Sequence, residues 1–153
     1  MSTRLSGIGF ALISGISLLI VGCSDSTTPQ QENQQPKEYK ILLSADKFYG
    51  AHIGFGGTTP PTVYAYRDLL DHPDADDVFK ELIEEGTMPG RLYGLAGVYY
   101  TDPSSLLDLS QQFLESSESV PAFFGCILSD TPVKDLAQRI VDGSLPRELQ
   151  DEW

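Results

Sequence analysis

Prolines that stand beside capping residues divide the chain from Thr59 onward into short helical segments. A proline fits the first turn of a helix because the backbone N–H groups there have no partner inside the helix, and a neighbouring Thr or Asp side chain can accept from those groups. The prolines at positions 60, 73, 89 and 103 recur about every 14 or 15 residues, which predicts one helix and turn per interval. The five junctions are Thr59-Pro60, His72-Pro73-Asp74, Thr87-Met88-Pro89, Asp102-Pro103 and Thr131-Pro132.

Apolar residues between these junctions repeat at helical spacing, and each repeat predicts a helix with one buried face. The helix that begins near Met88 is apolar on nearly every side, and its Gly94 and Gly97 would let neighbouring backbones approach. We therefore expect it to be the central helix. The three apolar stripes are Leu92, Leu95, Ala96 and Tyr99; Val133, Leu136, Ala137 and Ile140; and the shorter Val78, Phe79, Leu82 and Ile83.

The remaining patterns predict a small β component, so we expect a mainly α fold of stacked helical hairpins, with α+β as the alternative. Lys40–Leu43 is a short apolar run that suits a strand or an opening turn. Phe48–Gly57 mixes aromatics with glycines and is strand-like at best. Val120–Leu128 is apolar without helical period, which favours a buried strand. Gly86 and Gly143 stand where left-handed helix ends are expected.

The segment from Gly86 to Pro103 resembles helical-repeat proteins of the HEAT type. It reads GTMPGRLYGL and continues to Asp102-Pro103. The resemblance extends over residues 60–145. It implies a protein-binding scaffold without catalysis.

The charge balance argues against two classes of partner. The chain has 10 Lys and Arg residues against 22 Asp and Glu. Phosphate binding requires a basic surface, so nucleic acid is not expected as a partner, and electrostatic adhesion to anionic lipid is not expected either. Acidity mostly maintains solubility, and it leaves open a basic protein partner.

The N-terminal segment predicts export. After Arg4, Ile8–Val21 is an uncharged run of 14 residues that is broken only by Gly and Ser. It is short for a transmembrane helix, which needs about 20 residues, but it suits the core of a signal peptide. The next residues, Ile20-Val21-Gly22-Cys23, resemble the lipobox of bacterial lipoproteins.

The lipobox resemblance implies cleavage between Gly22 and Cys23, with S-diacylglycerol and an N-acyl chain on Cys23. Ser24, rather than Asp, after the cysteine implies the outer membrane, with the domain in the periplasm. Residues 1–22 are then the signal peptide, 23–38 the lipidated cysteine and a flexible tether, and 39–153 a single globular domain. Loss of Arg4 leaves 9 Lys and Arg against 22 Asp and Glu, a side-chain balance of −13.

Cys126 is the second cysteine and is alone once Cys23 carries lipid. Its neighbours Phe123, Phe124, Ile127 and Leu128 are apolar, so we expect a core cysteine. The alternative is a nucleophile, which needs a base and an electropositive setting.

The other candidates have simpler interpretations. His52 and His72 are isolated, whereas a zinc site needs three or four ligands at short spacing. Gly50–Thr59 lacks the lysine of a phosphate-binding loop. Neither a metal nor a cofactor is expected.

Two further groups of residues complete the candidates. A cluster of aspartates at a predicted helix start is favourable through the helix dipole, and it lacks the order of a calcium loop. Several tyrosines on predicted helices suit core packing with their hydroxyls at the surface, and a tyrosine-lined binding face is the alternative. The aspartates are Asp71, Asp74, Asp76 and Asp77, and the tyrosines are Tyr64, Tyr66, Tyr93, Tyr99 and Tyr100.

Three functional hypotheses follow. The first is a membrane-anchored, non-catalytic module that binds another envelope protein. The second is an acidic inhibitor or immunity-type lipoprotein that neutralises a basic toxin or hydrolase. The third is an enzyme that uses Cys126.

Overall fold

Seven helices and three strands make up the part of the chain that the computed structural model describes, residues 35–151. This arrangement confirms the predicted mainly α fold with a minor β component. The elements are α1 (Lys37–Leu43), β1 (Phe48–Ile53), α2 (Pro61–Leu70), α3 (Ala75–Glu85), α4 (Met88–Thr101), α5 (Leu106–Leu114), β2 (Ser119–Gly125), β3 (Ile127–Pro132), α6 (Val133–Val141) and α7 (Ser144–Gln150).

The expected signal peptide, Cys23 and Ser24 lie outside the described residues. Helix α1 begins at Lys37, inside the segment 23–38 that we expected to be tether. Within residues 35–151, no helix has the length and apolar character needed to cross a bilayer.

The proline junctions predict the helix starts well. Helices α2, α3, α4 and α6 begin at or directly after their junctions, and α5 begins three residues after Pro103. Thr87 is the junction residue that caps through its side chain: its hydroxyl oxygen accepts from the backbone N–H of Gly90 at 3.3 Å. The same hydroxyl donates to the carbonyl of Ala45 at 2.6 Å, so this cap also fixes the loop after α1.

Helices α3 and α4 form a tightly packed hairpin at the centre of the core. A Cβ atom on Gly97 would lie 2.3–2.4 Å from ring atoms of Phe79, and one on Gly94 would lie 2.8 Å from the Phe79 carbonyl oxygen. Both glycines are therefore required by the close approach of the helices. Leu92 and Leu95 on α4 are fully buried, as expected for a central helix.

The predicted apolar stripes face this core. All four stripe residues of α6 and all four of α3 are buried, and on α4 only Tyr99 of its stripe is partly exposed. Tyr66 packs its ring 5.8 Å from that of Phe79, and Phe48 stacks on Tyr93 at 4.5 Å between centroids. The first of these ring contacts joins α2 to the α3–α4 hairpin, and the second joins β1 to it.

The sheet has the strand order β1-β2-β3. Strand β1 pairs with β2 in parallel, with Phe48 opposite Ala122. Strand β2 pairs with β3 as an antiparallel hairpin, with Phe124 opposite Ile127. The parallel pair therefore joins two strands that are separated in the chain by α2–α5.

Two local predictions are wrong. Lys40–Leu43 belongs to α1 rather than to a strand or turn, because Tyr39 and Leu42 bury one helical face against the core. Gly86 ends α3 in an extended conformation, with φ −71°, whereas Gly143 is left-handed as predicted, with φ 76°.

The prediction for Val120–Leu128 is also wrong, and with it the placement of Cys126. The segment is not one buried strand. It turns back at Gly125 and Cys126, where Gly125 adopts φ 55°. Cys126 is therefore exposed at the apex of a hairpin and is not a core residue.

Candidate functional site

Two turns meet at one end of the sheet. The turn after β1, Gly54–Gly57, lies beside the hairpin apex at Gly125–Leu128. The backbone N–H of Gly54 donates to the carbonyl of Gly125 at 2.7 Å. Gly54 has φ 69°, so glycine is needed for this turn. We call these two segments, Gly54–Gly57 and Gly125–Leu128, the tip.

The tip presents large apolar side chains to solvent. Phe55 is fully exposed, Ile127 is 69% exposed and Leu128 is 57% exposed. A shallow depression beside Phe55 is lined by His52 and by Gly54, Gly56, Gly57 and Gly125. Residues 48–66 and 119–129, which include both parts of the tip, contain no Asp, Glu, Lys or Arg. The two parts of the tip thus carry no charged side chain of their own, on a strongly acidic chain.

Cys126 lies within this surface. Its exposure removes the burial that would have made the thiol inert. Segments 48–66 and 119–129 contain no Lys or Arg. The hypothesis of an enzyme that uses Cys126 stays a prediction.

The two histidines take part in local structure. The Nδ1 of His72 accepts from the backbone N–H of Asp74 at 3.2 Å, directly before α3. The ring of His52 is hydrogen-bonded to the Thr59 hydroxyl and the Asp151 carbonyl. Among residues 35–151, no group of three or more His, Cys, Asp or Glu side chains could hold a metal ion.

The aspartates before α3 do not act as one cluster. Asp74 is the N-cap residue, but its side chain makes no capping hydrogen bond. Asp76 and Asp77 lie in the first turn, where the helix dipole favours them. Asp76 accepts from the ammonium of Lys80 at 2.9 Å.

Lys80 joins α3 to the start of the α4–α5 loop. Its Nζ also donates to Asp102 at 2.8 Å. Hydrogen bonds from Lys80, Ser104 and Ser105 lower the pKa of the Asp102 carboxyl far below its ordinary value. Asp102 and Asp76 in turn raise the pKa of Lys80. This positive charge is therefore committed to structural ion pairs.

Carboxylates follow one face of α3. Asp77, Glu81 and Glu84 recur at i, i+4 and i+7, and Asp77 and Glu84 are exposed. We call these three residues the acidic stripe. Glu84 and Glu85 stand in the last turn, which contains no basic residue. Negative charge in the last turn of a helix interacts unfavourably with the helix dipole, and like charges at i and i+4 repel each other.

Polar groups of α1 and the preceding residues reach the same face. The Tyr39 hydroxyl donates to Glu85 at 3.2 Å, and the Gln35 side-chain amide donates to Glu81 at 2.5 Å. Burial, then the charge of Glu81 and the hydrogen bond to Glu85, raise the pKa of Tyr39. The stripe is therefore partly organised by neighbouring donors that carry no charge.

The tyrosine prediction is only half right. The hydroxyls of Tyr66 and Tyr93 are not at the surface: Tyr66 donates to the Ala96 carbonyl at 3.1 Å, and Tyr93 donates to the Tyr49 carbonyl at 3.2 Å. Burial raises the pKa of both phenols. Tyr64 and Tyr100 are 55% and 41% exposed, and they remain available for binding.

The tip is the surface that the sequence patterns missed. Its signal was the absence of charge from 48–66 and 119–129 in a chain with 22 acidic residues. Nothing local shows that the two segments meet, because the parallel pairing of β1 with β2 is a long-range contact.

Comparisons of the chain with protein families, with curated proteins and with solved structures gave no match. No relative therefore suggests an activity or a partner.

Proposed function

We propose that this protein is an exported lipoprotein whose helical domain binds another protein of the cell envelope and does not catalyse a reaction. The chain is cleaved between Gly22 and Cys23, and lipid on Cys23 holds it to a membrane. With Ser24 after the anchor, the membrane is the outer one and the domain lies in the periplasm. The lipobox resemblance supports the anchor.

The acidic stripe is the observation that supports a protein partner. Carboxylates at the C-terminal end of α3 work against the helix dipole, and their mutual repulsion adds to this cost. Among the three residues of the stripe, Glu84 bears this cost most, because the dipole favours Asp77 in the first turn and Glu81 accepts a hydrogen bond from Gln35. A basic surface on a partner would offset both effects, and the association would weaken as salt rises.

The same stripe supports the second hypothesis, an acidic inhibitor or immunity-type lipoprotein. The partner would then be a basic toxin or hydrolase, rather than a component of the envelope. A toxin gene beside this one, and protection of cells from that toxin, would favour inhibition over scaffolding.

Crosslinking in intact cells tests the proposal. The mature chain is compared with an Asp77→Asn, Glu81→Gln, Glu84→Gln variant. The matched control removes the same charge elsewhere, through Asp108→Asn, Glu115→Gln and Glu118→Gln, all at exposed positions. We expect the stripe variant to lose a specific crosslinked partner that the control retains.

Two results would contradict the proposal. One is equal recovery of partners by the stripe variant and its control. The other is turnover of a substrate by the purified protein, abolished by Cys126→Ser. The anchor is tested separately with Cys23→Ser, which should leave the domain folded but release it from the membrane. A variant that stays membrane-bound after cleavage would refute lipid anchoring.

A further inference from the structure

The tip differs from the rest of the surface in both charge and polarity. Phe55, Ile127 and Leu128 are among the most exposed large apolar residues of the described chain. Single exposed apolar residues are ordinary. Here Ile127 and Leu128 lie on opposite faces at the start of β3, and Phe55 lies in the adjoining turn, so the apolar side chains surround one end of the sheet and favour an end that is covered in the working protein. Whatever covers the tip must contact its apolar side chains, and it finds no charged side chain in the tip segments to pair with.

Many backbone N–H and C=O groups at the tip form hydrogen bonds with one another or with the adjacent residues Ile53 and Thr58. Ile53 and Thr58 exchange two backbone hydrogen bonds of 2.9 Å, and Gly57 donates to the Gly54 carbonyl at 3.2 Å. Gly54 in turn donates to the Gly125 carbonyl. Unpaired backbone groups are costly away from water, so a turn with internal hydrogen bonds enters a lipid interface at lower cost.

Charged groups occur at the base of the tip. Glu148 forms an ion pair with Arg139 at 2.6 Å, and the Arg139 guanidinium lies over the ring of Phe124, 4.9 Å from its centroid. A Cβ atom on Gly50 would lie 2.9 Å from a carboxylate oxygen of Glu148. This ion pair limits how deep the sheet end can enter an apolar phase.

The proposed anchor places a lipid surface within reach. Residues 24–36 of the tether predicted from the sequence separate Cys23 from α1, and a flexible chain of that length spans about 20 Å on average. A domain of this size has a radius of gyration of about 13 Å. The domain can therefore turn its uncharged end to the bilayer, while its acidic surface is kept away from anionic headgroups.

We infer that the tip inserts Phe55, Ile127 and Leu128 into the boundary between headgroups and acyl chains of the membrane that carries the anchor. This inference rests on the proposed lipid anchor at Cys23. Aromatic and aliphatic side chains bind at this depth, and an anchored chain gains such contact at high local concentration. The tip would then hold the domain in one orientation at the membrane, so that the same face is always presented to its partner.

Depth-dependent quenching tests the insertion. The lipidated chain carries Trp153→Phe and Phe55→Trp, and it is reconstituted in phosphatidylcholine vesicles with or without brominated acyl chains. The matched control carries Trp153→Phe and Leu107→Trp, since Leu107 on α5 is 64% exposed but lies outside the tip. We expect about twofold or stronger quenching of the tryptophan at position 55 and little quenching at position 107, as for shallow interfacial insertion.

A second pair of variants keeps the test independent of the new tryptophan. Added to the Phe55→Trp chain, Ile127→Ser with Leu128→Ser should weaken the quenching, whereas Leu107→Ser should not. Vesicle flotation reports the anchor by itself. A chain that fails to float refutes the anchor, and a chain that floats without quenching at position 55 refutes insertion.

Other occupants of the tip give distinct results. If a second copy covered the tip, position 55 would be shielded from acrylamide but unquenched by brominated lipid. If the tip were free for a protein partner, position 55 would stay open to acrylamide in the vesicles. Either result overturns the inference.

Discussion

The α3–α4 hairpin and the tip use the same two residue types, Phe and Gly, in opposite ways. At the hairpin, Phe79 is fully buried, and its ring fills the space that a side chain on Gly97 would need. At the tip, Phe55 is fully exposed, and a Cβ on Gly56 would meet nothing within 4 Å. Composition alone therefore does not separate a residue that packs the core from one that faces outward. Whether a Phe is buried or exposed is decided by contacts with residues that are distant in the chain.

The largest expected difference comes from the two phenylalanines. Phe79→Ala should lower the free energy of unfolding by about 3–5 kcal/mol, because it removes a buried ring and leaves a cavity. Phe55→Ala should change it by less than about 0.5 kcal/mol, as for an exposed side chain. Urea unfolding followed by circular dichroism measures both. Equal losses would mean that Phe55 packs in the folded state.

The two glycines give the next contrast. Gly97→Ala should lower the free energy of unfolding by about 1–3 kcal/mol, because the added methyl overpacks the hairpin. Gly56→Ala serves as its control and should be neutral to within about 0.5 kcal/mol. Thermal and urea unfolding of the pair measure this. A tolerated Gly97→Ala would show that the α3–α4 approach can relax.

A smaller effect is expected where α4 begins. Thr87→Ala should lower the free energy of unfolding by about 1 kcal/mol, since it removes the N-cap acceptor. It also removes the bond to the Ala45 carbonyl. Thr87→Ser keeps the hydroxyl and should restore most of the loss. If Thr87→Ser did not restore the free energy of unfolding, the loss would come from the missing methyl group rather than from the missing cap.

The smallest effect concerns pH. The pKa of Asp102 is lowered in the folded chain, so its stabilising contribution is present above the ordinary carboxyl pKa, near 4, and is lost as pH falls through the lower folded value. Asp102→Asn should therefore lower the urea midpoint at pH 7 and at pH 5. The difference from the unaltered chain should shrink below about pH 4. A difference that is constant down to pH 2 would rule out the charged Lys80–Asp102 contact as its source.

The sequence predicted the helices best where the constraint was local. Proline restricts its own backbone, so the starts of α2, α3, α4 and α6 followed directly from the chain. Helix α1 was missed because Tyr39, Leu42 and Leu43, at i, i+3 and i+4, are too few to define a helical period in a segment of seven residues, and the helix is stabilised by burial of Tyr39 and Leu42. The hairpin apex was missed because the apolar run was interpreted as one strand that continues through Gly125, although a glycine at the first position of a two-residue loop, here with φ 55°, commonly reverses the chain.

The acidic stripe and the tip also differ in whether the sequence could predict them. The acidic stripe could be deduced from the sequence once α3 was known, because i, i+4, i+7 spacing defines a helix face. The tip could not, since it depends on the pairing of β1 with β2. The absence of charge from both segments was visible, but their proximity was not.

The parallel pairing of β1 and β2 also has a consequence for how the chain matures. The strand partners are separated by α2–α5, so β1 cannot complete its ladder until β2, which begins at Ser119, has been synthesised. Closing so long a loop is slow and yields no contacts until it is complete. During that interval β1 has an open edge, which is a hazard for pairing with other chains. The part of the polypeptide from Ser119 onward thus completes the assembly, and a chain that stops before Ser119 would contain α1–α5 but would leave the edge of β1 unpaired.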